Sequence, residues 1–269
     1  MSPLIYIIIA TLAVSLLSFI GAFTLSFSKK TLEKLLLILV ALAAGGLLGG
    51  AFLHLIPEAL HEFTELHGHD ATTILFLFVL VGFCLFLITE QFLHWHHGHH
   101  GEHCCGDAHH KINKSKKSLS TMILFGDGIH NLIDGLVIGA AFMVSIETGI
   151  IATIAVALHE IPQEIGDFGV LVYSGMKRSK ALLYNFLSGL TAVVGGVVGF
   201  IFAEQASHIA LYILPIAAGG FIYLAASDLI PEIKHGDSMK RMGLHFTVMI
   251  LGIAFMYLML HIPFLEHSH

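Results

Sequence analysis

The chain has 269 residues, of which 56% are apolar and 12% charged, with a formal net charge of −6 at pH 7. Soluble domains carry about 25% charged residues, so a water-soluble globular fold is excluded and a polytopic membrane protein is expected. No basic face for nucleic acid stands out, and Cys84, Cys104 and Cys105 form no disulfide framework.

In chain order, apolar runs long enough to cross a bilayer, about 20 residues, recur at roughly 4–27, 35–57, 72–95, 119–143, 149–174, 181–203, 209–231 and 243–264. They predict an all-α protein of eight transmembrane helices, one transmembrane domain over 1–269. Met1-Ser2-Pro3 lacks a basic n-region, and the first run is too long for a signal sequence, so it reads as a retained span.

All 13 Lys and Arg fall in alternate connections: Lys29, Lys30 and Lys34; Lys111, Lys114, Lys116 and Lys117; Lys177, Arg178 and Lys180; Lys234, Lys240 and Arg241. The positive-inside rule makes these connections cytoplasmic and puts both termini outside. Short connections without a large ectodomain point to a prokaryotic plasma membrane.

The second and seventh runs contain a repeat. Residues 43–58 read AAGGLLGGAFLHLIPE and residues 217–232 read AAGGFIYLAASDLIPE, so the AAGG and LIPE blocks align without a gap. In the orientation above one run points outward and the other inward. The repeat is therefore inverted, a symmetry of secondary transporters that hold substrate near the midplane. It pairs His54 with Asp228 and Glu58 with Glu232, at opposite membrane faces. Within each pair the residues are four apart and share a helix face. One pair is placed to receive an ion and the other to release it; plain end-capping of helices is the competing account. Pro57 and Pro231 are expected to break local backbone bonds and bare carbonyls beside each pair.

The fourth and fifth runs carry the densest polar groups. A charged side chain at that depth costs roughly 2.5–3.5 kcal/mol on insertion scales, so each needs a partner. His130 and Asp134 share a face, with Asn131 adjacent and Asp127 one turn before it. On the next run His159 and Gln163 share a face, Glu160 and Glu164 share another, and Asp167 follows. Pro162 deprives the Leu158 carbonyl of its helix donor. Imidazole, carboxylate and amide together suit a divalent transition metal, whereas polar residues that merely bond one another between helices are the bland alternative. The two motifs contain no cysteine, which argues against a closed structural site. Zn2+ is the expected cargo, with Fe2+, Mn2+ and Cd2+ not separable by ligand type, and no resident cofactor is expected.

HNLIDGLVIGAAF and HEIPQEIGDFGVL resemble the fourth- and fifth-span signatures of the ZIP (Zrt/Irt-like) metal transporters. The similarity extends through FLHLIPEAL, SGLTAVVGGVVG and YLAASDLIPEI and covers essentially the whole chain. The resemblance implies eight helices in a 3+2+3 arrangement, a homodimer, and import of zinc or related ions by alternating access. By matching position it implies that His130, Asp134 and His159 are first-site ligands, with Asn131 and Glu160 nearer a second metal. His54 then lies on the outer route or at the site, and Asp228 and Glu232 lie toward the exit. Gln163 departs from the His or Glu common in the family at this position. A neutral amide bridges two cations poorly, which puts a two-metal site in doubt unless Glu164 compensates.

The cytoplasmic loop at 94–118 holds eight histidines between 94 and 110, plus Cys104 and Cys105. Such a tract binds metal by composition alone, and transport is expected to survive its removal. His61, His67, His69, His267 and His269 are expected to concentrate metal weakly outside. The rival function is an intramembrane zinc protease, because His159-Glu160-x-x-Gln163 resembles HExxH and Ile133-Asp134-Gly135 resembles an acidic third-ligand segment. Against it stand the Gln, the Pro162 distortion, and an acidic segment that precedes the HE motif. A metal sensor would need an output domain. No phosphate-binding loop is visible, so transport is not expected to be powered by an ATPase within this chain; the expectation is a transporter and not an enzyme.

Overall fold

In lipid, a backbone has to satisfy its own N–H and C=O groups, which leaves a long apolar run little choice but a helix. The computed structural model describes residues 2–26, 28–96, 108–234 and 239–260, and among them there is no strand. Helix α1 (Pro3–Ser15) continues as a 3-10 helix over Leu16–Ser26. Helix α2 (Lys29–Gly49) starts at Ser28, whose hydroxyl accepts from the Thr31 N–H. A π-helical segment, Gly50–Leu55, leads into α3 (Ile56–His67). Gly68, at φ 54, ends α3 in a backbone conformation that side chains rarely tolerate. Then come α4 (Ala71–His96), α5 (Ala108–Val144) and α6 (Ile146–Tyr173), the last capped by Ser145. Helices α7 (Arg178–Gly189) and α8 (Thr191–Ile201) meet at Leu190. Helix α9 (Ala203–Tyr223), a second π segment (Leu224–Leu229), α10 (Ile230–Lys234) and α11 (Met239–Leu260) complete the described chain.

Six segments among the described residues are long and apolar enough to cross a membrane. One of them, Leu35–Phe92, is 58 residues long and is broken at the Gly68 turn into an α2–α3 part and α4. Helix α6 is 28 residues long but carries Glu147, Glu160, Glu164 and Asp167, so composition alone does not qualify it. Ile88 on α4 and Leu251 and Leu258 on α11 are more than half exposed, as side chains solvated by lipid are.

At the prolines the missing donor does not stop the helices. The helix does not end at Pro57 but runs on to His67, and α6 passes through Pro162 without interruption. A proline withholds a single donor, and tertiary packing on both sides of α6 carries the helix across the gap. Pro57 and Pro231 instead follow the π segments. Pro57 offers no N–H to the Leu53 carbonyl, and Pro231 none to Ser227, which favours the wider turn before each. The N–H of Ile56 reaches the Ala51 carbonyl and that of Ile230 the Ala225 carbonyl, both in π register.

The sequence repeat recurs in the packing. The two π segments occupy matching repeat positions, and so do two sets of close backbone approaches. A Cβ at Gly45 of α2 would collide with the Met249 carbonyl of α11, and one at Gly219 of α9 with the Val79 carbonyl of α4. Conversely, a Cβ at Gly252 of α11 would press on the Leu42 carbonyl of α2 at 3.0 Å, and one at Gly82 of α4 would collide with that of Ile216. Thus α2 packs on α11 as α9 packs on α4. Helices α5 and α6 lie against each other, α2 packs on α6 and α9 on α5, while α8 covers α5 and α1 reaches both α6 and α8.

Candidate metal site

The α5–α6 contact positions the site. His130 and Asp134 project from one face of α5, and His159 and Glu160 from adjacent positions of α6, all four 6% exposed or less. Their ligand atoms lie within 4.8 Å of one another. His159 Nε2 is 3.1 Å from Asp134 Oδ2, and His130 Nε2 is 3.2 Å from Glu160 Oε1 and 3.5 Å from Asp134 Oδ2. The imidazole rings of His130 and His159 are 5.4 Å apart, and Phe221 of α9 lies against His130 at 5.2 Å.

A second group adjoins the first and shares Glu160 with it: Asp127, Glu160 and Glu164, again within 4.8 Å. Asn131 does not point into this group as a bare amide; its Nδ2 donates to Asp127 Oδ1 at 2.9 Å. The first group mixes imidazole and carboxylate, and the second offers oxygen alone. Gln163 is buried beside them.

Mutual hydrogen bonding does not exhaust these groups. Buried atoms without a hydrogen-bond partner include His130 Nδ1, Glu160 Oε2, Asp127 Oδ2, Asn131 Oδ1 and Gln163 Nε2, while His130 Nε2 and Glu160 Oε1 face each other. Native proteins pair most buried polar atoms, so such a concentration suits groups built to receive a cation.

The flanking pairs differ. His54, in the first π segment, is a quarter exposed, lies 3.6 Å from Glu58, and brings its ring to 5.0 Å from that of His159. It therefore reaches the central group. None of His54, Glu58, Asp228 and Glu232 is a member of either ligand group among the described residues, and only His54 brings its ring against one of them. Glu232 accepts from the Tyr173 hydroxyl at the end of α6, and Glu90 of α4 accepts from Tyr223.

Sequence reasoning passed over Tyr173, Tyr223 and Glu90, and also Ser18 and Asn185, which both donate to Glu164. Glu90 alone left a signal, as an acid near the end of an apolar run. Of the histidine-rich loop at 94–118, residues 97–107 with Cys104 and Cys105 lie outside the described residues, as do His267 and His269.

The family model described as "ZIP Zinc transporter" matches residues 1–121 and 96–260. This chain belongs to the ZIP zinc transporter family. Within the family it is similar to zinc transporter zipt-7.1 of Caenorhabditis briggsae, 30% identical over 276 residues that cover 82% of this chain and 70% of the relative. It is also similar to zipt-7.2 of Caenorhabditis elegans, 33% identical over 94% of this chain and 65% of the relative. Mouse zinc transporter ZIP10 is 46% identical over 120 residues, 45% of this chain. That match spans only 14% of ZIP10's own length.

Proposed function

We propose that this ZIP-family chain carries divalent metal ions, zinc foremost, across a membrane toward the cytosol. The observation that carries the reading is the His130–Asp134–His159–Glu160 group, four nitrogen and oxygen ligands buried between two membrane helices with unsatisfied polar atoms around them. Imidazole and carboxylate give a site that zinc occupies well. With no thiolate among these ligands, the ion retains a way out. The names of the relatives, all zinc transporters, support the same cargo.

In this reading eight spans cross the membrane: α1, α2–α3, α4, α5, α6, α7–α8, α9–α10 and α11. They form a 3+2+3 arrangement with α5 and α6 in the middle. The basic connections face the cytosol and the termini lie outside, so His54 and Glu58 line the outer approach and Asp228 and Glu232 the exit. Ions pass from one to the other by alternating access. Glu160, common to both ligand groups, is the natural hand-over point, with Asn131, Gln163 and Glu164 around the all-oxygen group. The functional unit is a homodimer in the bilayer.

The deciding experiment is zinc uptake into sealed proteoliposomes, native protein against His130→Ala/His159→Ala. Uptake and tight zinc binding should both vanish in the double variant while the protein stays folded. Near-native uptake would remove this group from the ion path, and binding without uptake by the native protein would end the transport reading.

A further inference from the structure

Glu164 is fully buried, and its carboxylate is held from outside the two helices that carry the ligand groups. One oxygen accepts from Ser18 Oγ, in the 3-10 helix after α1, and the other from Asn185 Nδ2, in α7. Both donors are themselves fully buried. Helix α7 is also fastened to this part of the chain directly: Ser15 Oγ, at the end of α1, donates to the Gly189 carbonyl at 2.7 Å, and Asn185 Nδ2 approaches the Ser18 carbonyl at 3.5 Å. Asn185 Oδ1 has no hydrogen-bond partner, so the amide forgoes one bond to present its N–H groups to Glu164. Flipping the amide would set oxygen against carboxylate oxygen.

The held carboxylate faces Asp127 and Glu160. Three buried carboxylates repel one another, and protons or a bound cation relieve that repulsion. Ser18 and Asn185 are neutral donors, so they fix Glu164 without cancelling the charge a cation would meet. Gln163 next to it supplies no charge, which makes the placement of Glu164 decisive on this face.

We propose that Ser18 and Asn185 are positioning residues: they clamp the Glu164 carboxylate against Asp127 and Glu160 and so set the affinity of this all-oxygen group for a divalent cation, without touching the ion. The proposal rests on the reading of the chain as a metal carrier. Partners that orient a metal-binding carboxylate are worth about 10–100-fold in affinity elsewhere, and a clamp from two separate elements belongs in that range.

The test is equilibrium Zn2+ binding to the full-length protein in detergent, with uptake measured in parallel. Asn185→Leu and Ser18→Ala should each weaken binding by about tenfold, and Ser18→Thr, which keeps the hydroxyl, should restore it. Glu164→Gln should show the same loss, and adding Asn185→Leu to it should cost nothing further, because the clamp then has nothing to hold. If Asn185→Leu does not fold, Ser18→Ala and its pairing with Glu164→Gln decide alone. Unchanged affinity in the clamp variants, or losses that add to that of Glu164→Gln, would overturn the proposal. Failure of transport is separable: a non-additive binding cycle in a protein that moves no zinc sustains the clamp and ends the transport reading, and additive losses in a protein that does move zinc do the reverse.

Discussion

His54–Glu58 and Asp228–Glu232 stand at matching positions of one repeat, each spanning the end of a π segment and the proline after it, yet they meet different surroundings. His54 leans into the centre, its ring against that of His159, while a quarter of its side chain stays exposed. At the other end Glu232 is engaged by Tyr173, and Tyr223 spans to Glu90. Tyr223 occupies the repeat position of Gly49, which lies against Met256 of α11 with no room for a side chain. The backbone device is therefore shared, and the chemistry is not. In the proposed path, a nitrogen ligand at one end would capture zinc, and carboxylates tied to phenols at the other would release it once those bonds open.

The likeness of the two halves is most vulnerable at the packing. Gly45→Leu and Gly219→Leu each drive a side chain into a neighbouring carbonyl and should destabilise by about 3 kcal/mol or lose the folded protein outright. Thermal unfolding in detergent reads this, and tolerance at one position with collapse at the other would show that the two halves do not pack alike. A smaller effect separates the two ends kinetically. His54→Ala should raise the KM for zinc uptake roughly tenfold with kcat retained, as for loss of a binding contact, whereas Asp228→Asn should lower kcat more than it changes KM. The reverse pattern would exchange the roles of the ends. The smallest effect belongs to the phenols. Tyr173→Phe and Tyr223→Phe each remove a part-buried hydrogen bond to a carboxylate, worth about 0.5–1 kcal/mol net. Impermeant thiol reagents should then label a cysteine introduced at Ala226, on the proposed exit side, several-fold faster from the cytosolic face. Unchanged labelling would reduce the phenol contacts to ordinary helix packing.

Much of the site is legible along the chain, for a specific reason. A helix fixes which residues four apart share a face, so His130 with Asp134 and His54 with Glu58 follow from spacing once the runs are helical. At Pro162 local rules give only a missing donor, and it is packing of α6 against α5 and α2 that keeps the helix whole around it. Glu164 shows the other limit. Its spacing groups it with Glu160, and nothing along the chain connects it to Ser18 and Asn185, which approach only when three helices assemble.

Apolar run length, charge placement and helical period all act within a single segment. They are enough to place the chain in a membrane, to locate its helices, to show that two of them repeat, and to pick out the α5 and α6 residues too polar for lipid without a purpose. Assembly of the helices settles the rest: His54 joins the centre while Asp228 stays apart, Glu160 serves two ligand groups, and serine, asparagine and tyrosine from other helices hold the carboxylates. Such contacts depend on helix crossings, set by where glycine lets one backbone touch another, and spacing along one helix carries no record of what the next helix brings to it.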